Sequence, residues 1–194
     1  MDATTQKIID ELLVAAEHHD AAQADRLDRW RVLEPDAGRL IWFLAQVLSA
    51  RNIVEIGTSR GVSTLWLADA ARGTGGHVLT FDLDRAAQEA ARASLRAAGL
   101  AEQVTFRHGD GGAALADLAD GSVDLLFLDA ERVEYPAWWP HPMRVLRPGG
   151  LLVADNATSH PEEIAPLRDL VQAEPGMVTI TVGVGKGELL ALRR

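Results

Sequence analysis

From Asn52 onward the chain alternates short apolar runs with helical patterns, and few architectures accept that rhythm. The runs read as strands at Asn52–Ile56, His77–Asp82, Val104–His108, Val123–Asp129, Leu151–Asp155, Met177–Val182 and Glu188–Leu192. Between them the spacing predicts helices at Ser63–Ala71, Arg85–Ala98, Gly112–Ala119, Tyr135–Leu146 and Pro161–Ala173, with Gly99 as the residue that ends the second. Runs such as Leu125-Leu126-Phe127-Leu128 and Leu151-Leu152-Val153-Ala154 offer no polar face, which suits a parallel sheet covered by helices on both sides. The expectation is therefore α/β: a doubly wound, mostly parallel seven-stranded sheet. Only the glycine-rich Gly183–Gly187 separates the last two runs, so these are expected to pair as a C-terminal antiparallel hairpin.

Upstream, Thr4–His19 places Ile8, Leu12 and Ala15 on one face of an amphipathic helix. Asp36–Ser49 reads as a second helix with Asp36 as N-cap, and its Trp42 and Phe43 are assigned to the core. The charged run Asp25–Arg31 around Trp30 reads as a solvated connection, the alternative being that Trp30 caps a pocket. Residues 1–50 thus form a helical region that covers a pocket or pairs two subunits, ahead of a ligand-binding domain at 51–194. At 194 residues and 47% hydrophobic content the chain can bury one full core. A net charge of −9 opposes a broad grip on nucleic acid. No apolar run is long enough to span a membrane and no signal peptide is evident, so a cytoplasmic location is expected. Without cysteine, any metal must be held by oxygen or imidazole.

In open α/β sheets a ligand lies beyond the carboxyl ends of the strands, so the residues that end each strand carry the functional argument. The first strand ends in the turn Glu55-Ile56-Gly57-Thr58-Ser59-Arg60-Gly61, which aims backbone N–H groups and a helix N-terminus outward. This spacing is not the G-x-G-x-x-G of a dinucleotide site. It resembles the E-x-G-x-x-x-G motif of class I S-adenosylmethionine-dependent methyltransferases, where the acid ahead of the turn suits an ammonium better than a pyrophosphate. Asp82 follows Gly61 by about twenty residues, where an acid accepts from ribose hydroxyls. Asp84 is the better cap for the next helix, which leaves Asp82 free. His108-Gly109-Asp110-Gly111 ends the third strand, with room for an adenine edge and an acid for its amino group. Asp129 ends the fourth strand and Asp155-Asn156 the fifth. If those strands are neighbours, three oxygen side chains converge, as hard divalent cations such as Mg²⁺ or Ca²⁺ require.

Over most of its length the chain resembles the cation-dependent O-methyltransferases, the family of catechol and caffeoyl-coenzyme A O-methyltransferases and their small bacterial relatives. The matching pieces are Glu34–Gly38, Asn52–Thr64, Thr80–Asp84, His108–Asp110, Asp124–Tyr135, Val145–Asn156 and the closing V-G-V-G-K-G. The resemblance implies that Glu55, Gly57, Ser59, Gly61 and Ser63 surround the methionine moiety of S-adenosylmethionine, with Ser63 toward its carboxylate. It also implies Asp82 and Leu83 at the ribose, Gly109 and Asp110 at the adenine, and Asp129, Asp155 and Asn156 on a divalent cation, with Asp129 also beside the cofactor. Family members commonly carry a lysine base in D-x-x-K, and here that position is Arg132, which stays protonated. Arg132 can stabilise charge but not remove a proton, so His160 becomes the candidate base, with Glu131 behind it. Trp138 or Trp139 is expected to wall a flat acceptor. The only lysines, Lys7 and Lys186, give little basic support for a coenzyme A-sized acceptor. The reading is methyl transfer to a small catechol-like acceptor, cation-assisted and in a homodimer, without nucleic-acid or membrane partners. The alternatives are a metal-independent methyltransferase of the same fold, a nicotinamide-dependent oxidoreductase and a non-catalytic binding domain.

Overall fold

The computed structural model describes residues 1–25 and 28–194; Arg26 and Leu27, within the charged run Asp25–Arg31, lie outside the described residues. The apolar runs form β1 (Asn52–Ile56), β2 (His77–Asp82), β3 (Val104–His108), β4 (Val123–Leu128), β5 (Leu146–Ala154), β6 (Met177–Val182) and β7 (Glu188–Arg193). They assemble into one sheet in the order β3-β2-β1-β4-β5-β7-β6. The first five run parallel to one another, whereas β7 runs antiparallel to both β5 and β6.

Side-chain alternation along the strands divides the core into two layers. Ile53, Leu125, Phe127, Leu151 and Val153 point to one face, where they meet α1 (Ala3–Ala21), α2 (Pro35–Val47), α3 (Val62–Thr74) and α4 (Arg85–Ala97). Val54, Ile56, Leu126, Leu128, Leu152 and Ala154 point to the other, against α5 (Gly111–Asp117), α6 (His141–Val145) and α7 (Pro161–Ala173). The helices are held by ordinary local chemistry. Asp84 caps α4 by accepting from Ala86 and Ala87 N–H at 2.8 and 3.0 Å. Ala87, Ala91 and Leu95 then recur every four residues on its buried face. Gly99 has φ +68°, as a residue closing a helix in the left-handed region does.

Four expectations need correction. The helix predicted over Tyr135–Leu146 is a 3₁₀ turn at Arg132–Trp138 followed by the short α6, with a cis Trp139–Pro140 bond between them. Prolines at 136, 140 and 142 remove the N–H donors a continuous helix needs. The strand β5 starts at Leu146 rather than Leu151, its pairing with β4 passing through an irregularity between Val123 and Leu125. Asp36 is not the cap of α2: Glu34 holds that position, and Pro35 supplies the preset φ of the first turn. Phe43, assigned to the core, is 57% exposed, while Trp42 is partly buried and donates to Asp69 Oδ2 at 2.8 Å. No helix among the described residues is long and apolar enough to cross a membrane.

Candidate active site

The spatial order of strands reverses between β1 and β4, which opens a crevice at their carboxyl ends. Three ladder bonds align the strand ends there. Gly57 N–H donates to Phe81 O, Asp129 N–H to Ile56 O and Asp155 N–H to Leu128 O, at 2.9, 2.9 and 3.1 Å. Gly57 has φ +105°, and a Cβ on it would lie 2.1 Å from the Asp129 carbonyl oxygen. At Gly61, φ is +86° and a Cβ would lie 2.7 Å from the Ala91 Cβ on α4. The sequence reading gave both glycines to ligand approach. The structure shows that the protein's own packing already requires them.

A cavity of about 790 Å³ occupies the crevice, within the range of small-molecule sites. Of the residues expected at a site, Gly57, Ser59, Asp82, Leu83, Gly109, Asp110, Asp129, Arg132, Asn156 and His160 line it. Glu55, Gly61, Ser63 and Asp155 are not on its wall. Asp82 accepts from Ser59 N–H at 2.7 Å through Oδ2 and from Asp84 N–H at 2.8 Å through Oδ1, which fixes its carboxylate at the rim. Asp110 lies in the cavity wall and also caps α5, its Oδ1 accepting from Ala113 N–H at 2.8 Å. Glu55 is fully buried beneath the turn. Its Oε2 accepts from the Thr64 and Thr80 hydroxyls, each at 2.6 Å. Burial, opposed by hydroxyl bonds from Ser63, Thr64 and Thr80, raises its carboxyl above the usual 4.5.

Charged groups crowd the other end. Burial first, then the charges of Asp155 and Glu55, push Asp129 well above the ordinary carboxylate range. The β5–β7 register pairs Ala154 with Leu189. The next step along the ladder sets Asp155 opposite Glu188, and their side chains lie within hydrogen-bond reach. Glu188 is fully buried. Burial and the Asp155 charge push its carboxyl up to about 10. Neither Asp155 Oδ1 nor either Glu188 carboxyl oxygen receives a hydrogen bond from an N–H or hydroxyl donor. Such a buried pair needs a shared proton or a cation beside it. Asn156, at φ +68°, donates from Nδ2 to Asp155 Oδ2 at 2.6 Å. Two acids and an amide oxygen at adjoining strand ends fit a hard divalent cation. No group of three or more Asp, Glu, His or Cys side chains placed to hold a metal occurs among the described residues. His160 is half-buried, its Nδ1 2.9 Å from the Ser159 hydroxyl.

A family model described as O-methyltransferase matches residues 3–180. The chain belongs to the O-methyltransferase family. Within that family it is 35% identical over 127 residues to a catechol O-methyltransferase of Niastella koreensis, covering 64% of this chain and 57% of that one. It is also 35% identical over 145 residues to a catechol O-methyltransferase of Mycobacterium tuberculosis, covering 75% of this chain and 64% of the relative. The chain thus spans less than two thirds of the length of both. The solved O-methyltransferase from Bacillus cereus in complex with SAH superposes with a TM-score of 0.80 at 25% identity, covering 100% of this chain and 92% of that one.

The structure gives several side chains of this O-methyltransferase cavity more weight than the sequence does. Trp30, read there as part of a solvated connection, lines the cavity. It stacks on His19 with ring centroids 4.5 Å apart, carries the Arg60 guanidinium 4.5 Å over its ring, and accepts from the Ser59 hydroxyl at its carbonyl. Lys186, on the turn between β6 and β7, lines the opposite end and meets Glu34 Oε1 at 2.5 Å. Glu34 and Glu188 offered no local signal, because the neighbours that give them meaning are more than 30 residues away in the chain. Of Trp138 and Trp139, Trp138 lines the cavity. Its indole fills the space a Cβ would need at Gly112, 2.5 Å from Cδ1. Arg132 is 4% exposed, with Nε and Nη2 on Glu163 Oε2 at 2.9 and 2.7 Å, so its charge is committed to α7.

Proposed function

We propose that this protein is an S-adenosylmethionine-dependent O-methyltransferase acting on a small, catechol-like acceptor with the help of a divalent cation. The observation that carries the reading is the placement, in one cavity, of Asp82 and Asp110 at one end and Asp129 and Asn156 at the other. Bound at the first end, S-adenosylmethionine supplies the methyl group. Asp82 takes its ribose hydroxyls on the lone pairs left by two backbone N–H groups. Gly109 and Asp110 border the adenine, and Glu55, buried beneath the turn, is the acid on the side of the ammonium. Asp129, Asp155 and Asn156 hold the cation, which when bound stabilises an ionised acceptor oxygen. Trp138 gives a flat ring a wall to lie on. By holding acceptor and cofactor together, the cavity walls supply the alignment that makes the transfer effectively intramolecular.

The catechol names of the relatives and the oxygen donor set both favour vicinal hydroxyls. A second copy of the chain would cover the exposed Phe43 and Val47 of α2, or Val178, Ile180 and Leu192 on β6–β7.

The test is a Mn²⁺ titration of protein saturated with S-adenosylhomocysteine, with free metal followed by its spin resonance signal. One equivalent should be taken up, and the uptake should vanish in Asp129→Ala while affinity for S-adenosylhomocysteine stays unchanged. Absence of uptake would move the reading to the metal-independent form, with His160 as the base.

A further inference from the structure

We propose that Lys186 is the cationic side chain that meets the reactive oxygen of the acceptor, so that it binds as its oxyanion. This rests on the O-methyltransferase reading and narrows it to acceptors whose hydroxyl ionises readily, phenols and enols rather than aliphatic alcohols.

Several cations lie near this end of the cavity. Arg132 sits where the family commonly has a lysine, but its guanidinium lies on Glu163. Arg31 pairs with Glu131 at 2.9 Å, and Arg60 covers Trp30. Of the two lysines, Lys7 lies on the exposed face of α1 beside Glu11. Lys186 lines the cavity together with Asp129, Asn156 and His160.

Its backbone is fixed against the loop that follows Asn156. The Lys186 carbonyl accepts from Thr158 N–H and Ser159 N–H at 3.0 Å and from the Thr158 hydroxyl at 2.6 Å, and Ala157 N–H donates to Gly187 O at 2.7 Å. A turn held this way delivers its side chain to the same place in each molecule. The ammonium has three N–H donors and Glu34 Oε1 occupies one, leaving two for a ligand.

The chemistry at that point is balanced without a proton on or off the lysine. The acceptor O–H gives its proton to water, and an oxygen lone pair forms the new O–CH₃ bond. The electron pair of the broken S–CH₃ bond stays on sulfur, turning the sulfonium into a thioether. Lys186 stays protonated throughout and stabilises the oxyanion before and during transfer.

The probe is 4-nitrocatechol, whose ionised form absorbs in the visible. It is titrated by pH on protein saturated with S-adenosylhomocysteine, with Mg²⁺ present throughout. The bound ligand should ionise at lower pH than free ligand. In Lys186→Met its ionisation constant should fall by about tenfold, one pH unit, and Lys186→Arg should restore most of the difference. Thermal midpoint and S-adenosylhomocysteine affinity should match the parent in both. Glu34→Gln, which removes the competing carboxylate, should shift the ionisation to still lower pH and serves if Lys186→Met does not fold. Identical titration of the parent and Lys186→Met, or of the parent and Glu34→Gln, overturns the role of Lys186 and leaves the acceptor reading standing. A parent that binds S-adenosylhomocysteine but no 4-nitrocatechol overturns both.

Discussion

At the β2–β3 end of the cavity, functional side chains are fixed by backbone a few residues away or one strand over. Asp82 takes the N–H groups of Ser59 and Asp84, and Asp110 that of Ala113. At the β5–β7 end they are fixed by other charged side chains from distant segments: Lys186 by Glu34, Arg132 by Glu163, Asp155 against Glu188. Backbone N–H groups do not change when their residue is substituted, so the bonds at the first end survive most changes of the donor residues. Paired side chains can be exchanged without moving a strand. The second end can therefore change its side chains while the first stays as it is.

The seam between the two ends should be the most sensitive point. Gly57→Ala would drive a Cβ toward the Asp129 carbonyl at a left-handed φ. We expect a loss of roughly 3 kcal/mol in denaturant unfolding, and a loss below about 1 kcal/mol would mean the ends can shift independently. Next, Asp82→Ala should weaken S-adenosylhomocysteine binding by roughly 1–3 kcal/mol in calorimetry while leaving 4-nitrocatechol binding intact. Weakening of both ligands together would erase the distinction between the ends.

A smaller effect should appear in the pH dependence of stability. The unfolded chain ionises Glu55 near 4.5, and the folded protein only at higher pH. Between those values the folded state holds a proton the unfolded state has lost, so stability declines as pH rises through that window. Thermal melts of ligand-free Glu55→Gln should show a flatter decline above pH 4.5 than the parent. Saturation with S-adenosylhomocysteine, whose ammonium offsets the buried charge, should narrow the difference. Equal slopes would mean that the Glu55 carboxyl is not perturbed. Least of all should be the effect of Arg31→Ala, because its pair with Glu131 is 38% and 36% exposed. A stability change under about 0.5 kcal/mol is expected, and one above ~1 kcal/mol would make this contact part of the fold rather than of the rim.

The same contrast explains what could be read from sequence. Strand runs, the turn at Gly57, and the acids at 82, 129 and 155 are local patterns, and their positions in the sheet follow from doubly wound topology. The helix predicted over Tyr135–Leu146 failed because the apolar spacing outweighed three prolines in the reading but not in the chain. Trp30 was read as solvated because its neighbours in sequence are charged, whereas its neighbours in space are His19, Arg60 and the turn at Ser59. Glu188 looks like the polar start of an edge strand until β7 is placed beside β5, where it becomes a buried acid facing Asp155.

That placement of β7 has a consequence for how the molecule is made. β6 leaves the ribosome first, yet it pairs only with β7, and β5 meets neither until Glu188–Arg193 has been synthesised. From the completion of β5 at Ala154 until Glu188–Arg193 has been made, β5 therefore presents a bare apolar edge, the kind of surface that recruits other strands. The β2–β3 end can already be assembled while the nascent chain waits. The β5–β7 end, with Asp155 facing Glu188, is completed only once β7 is in place.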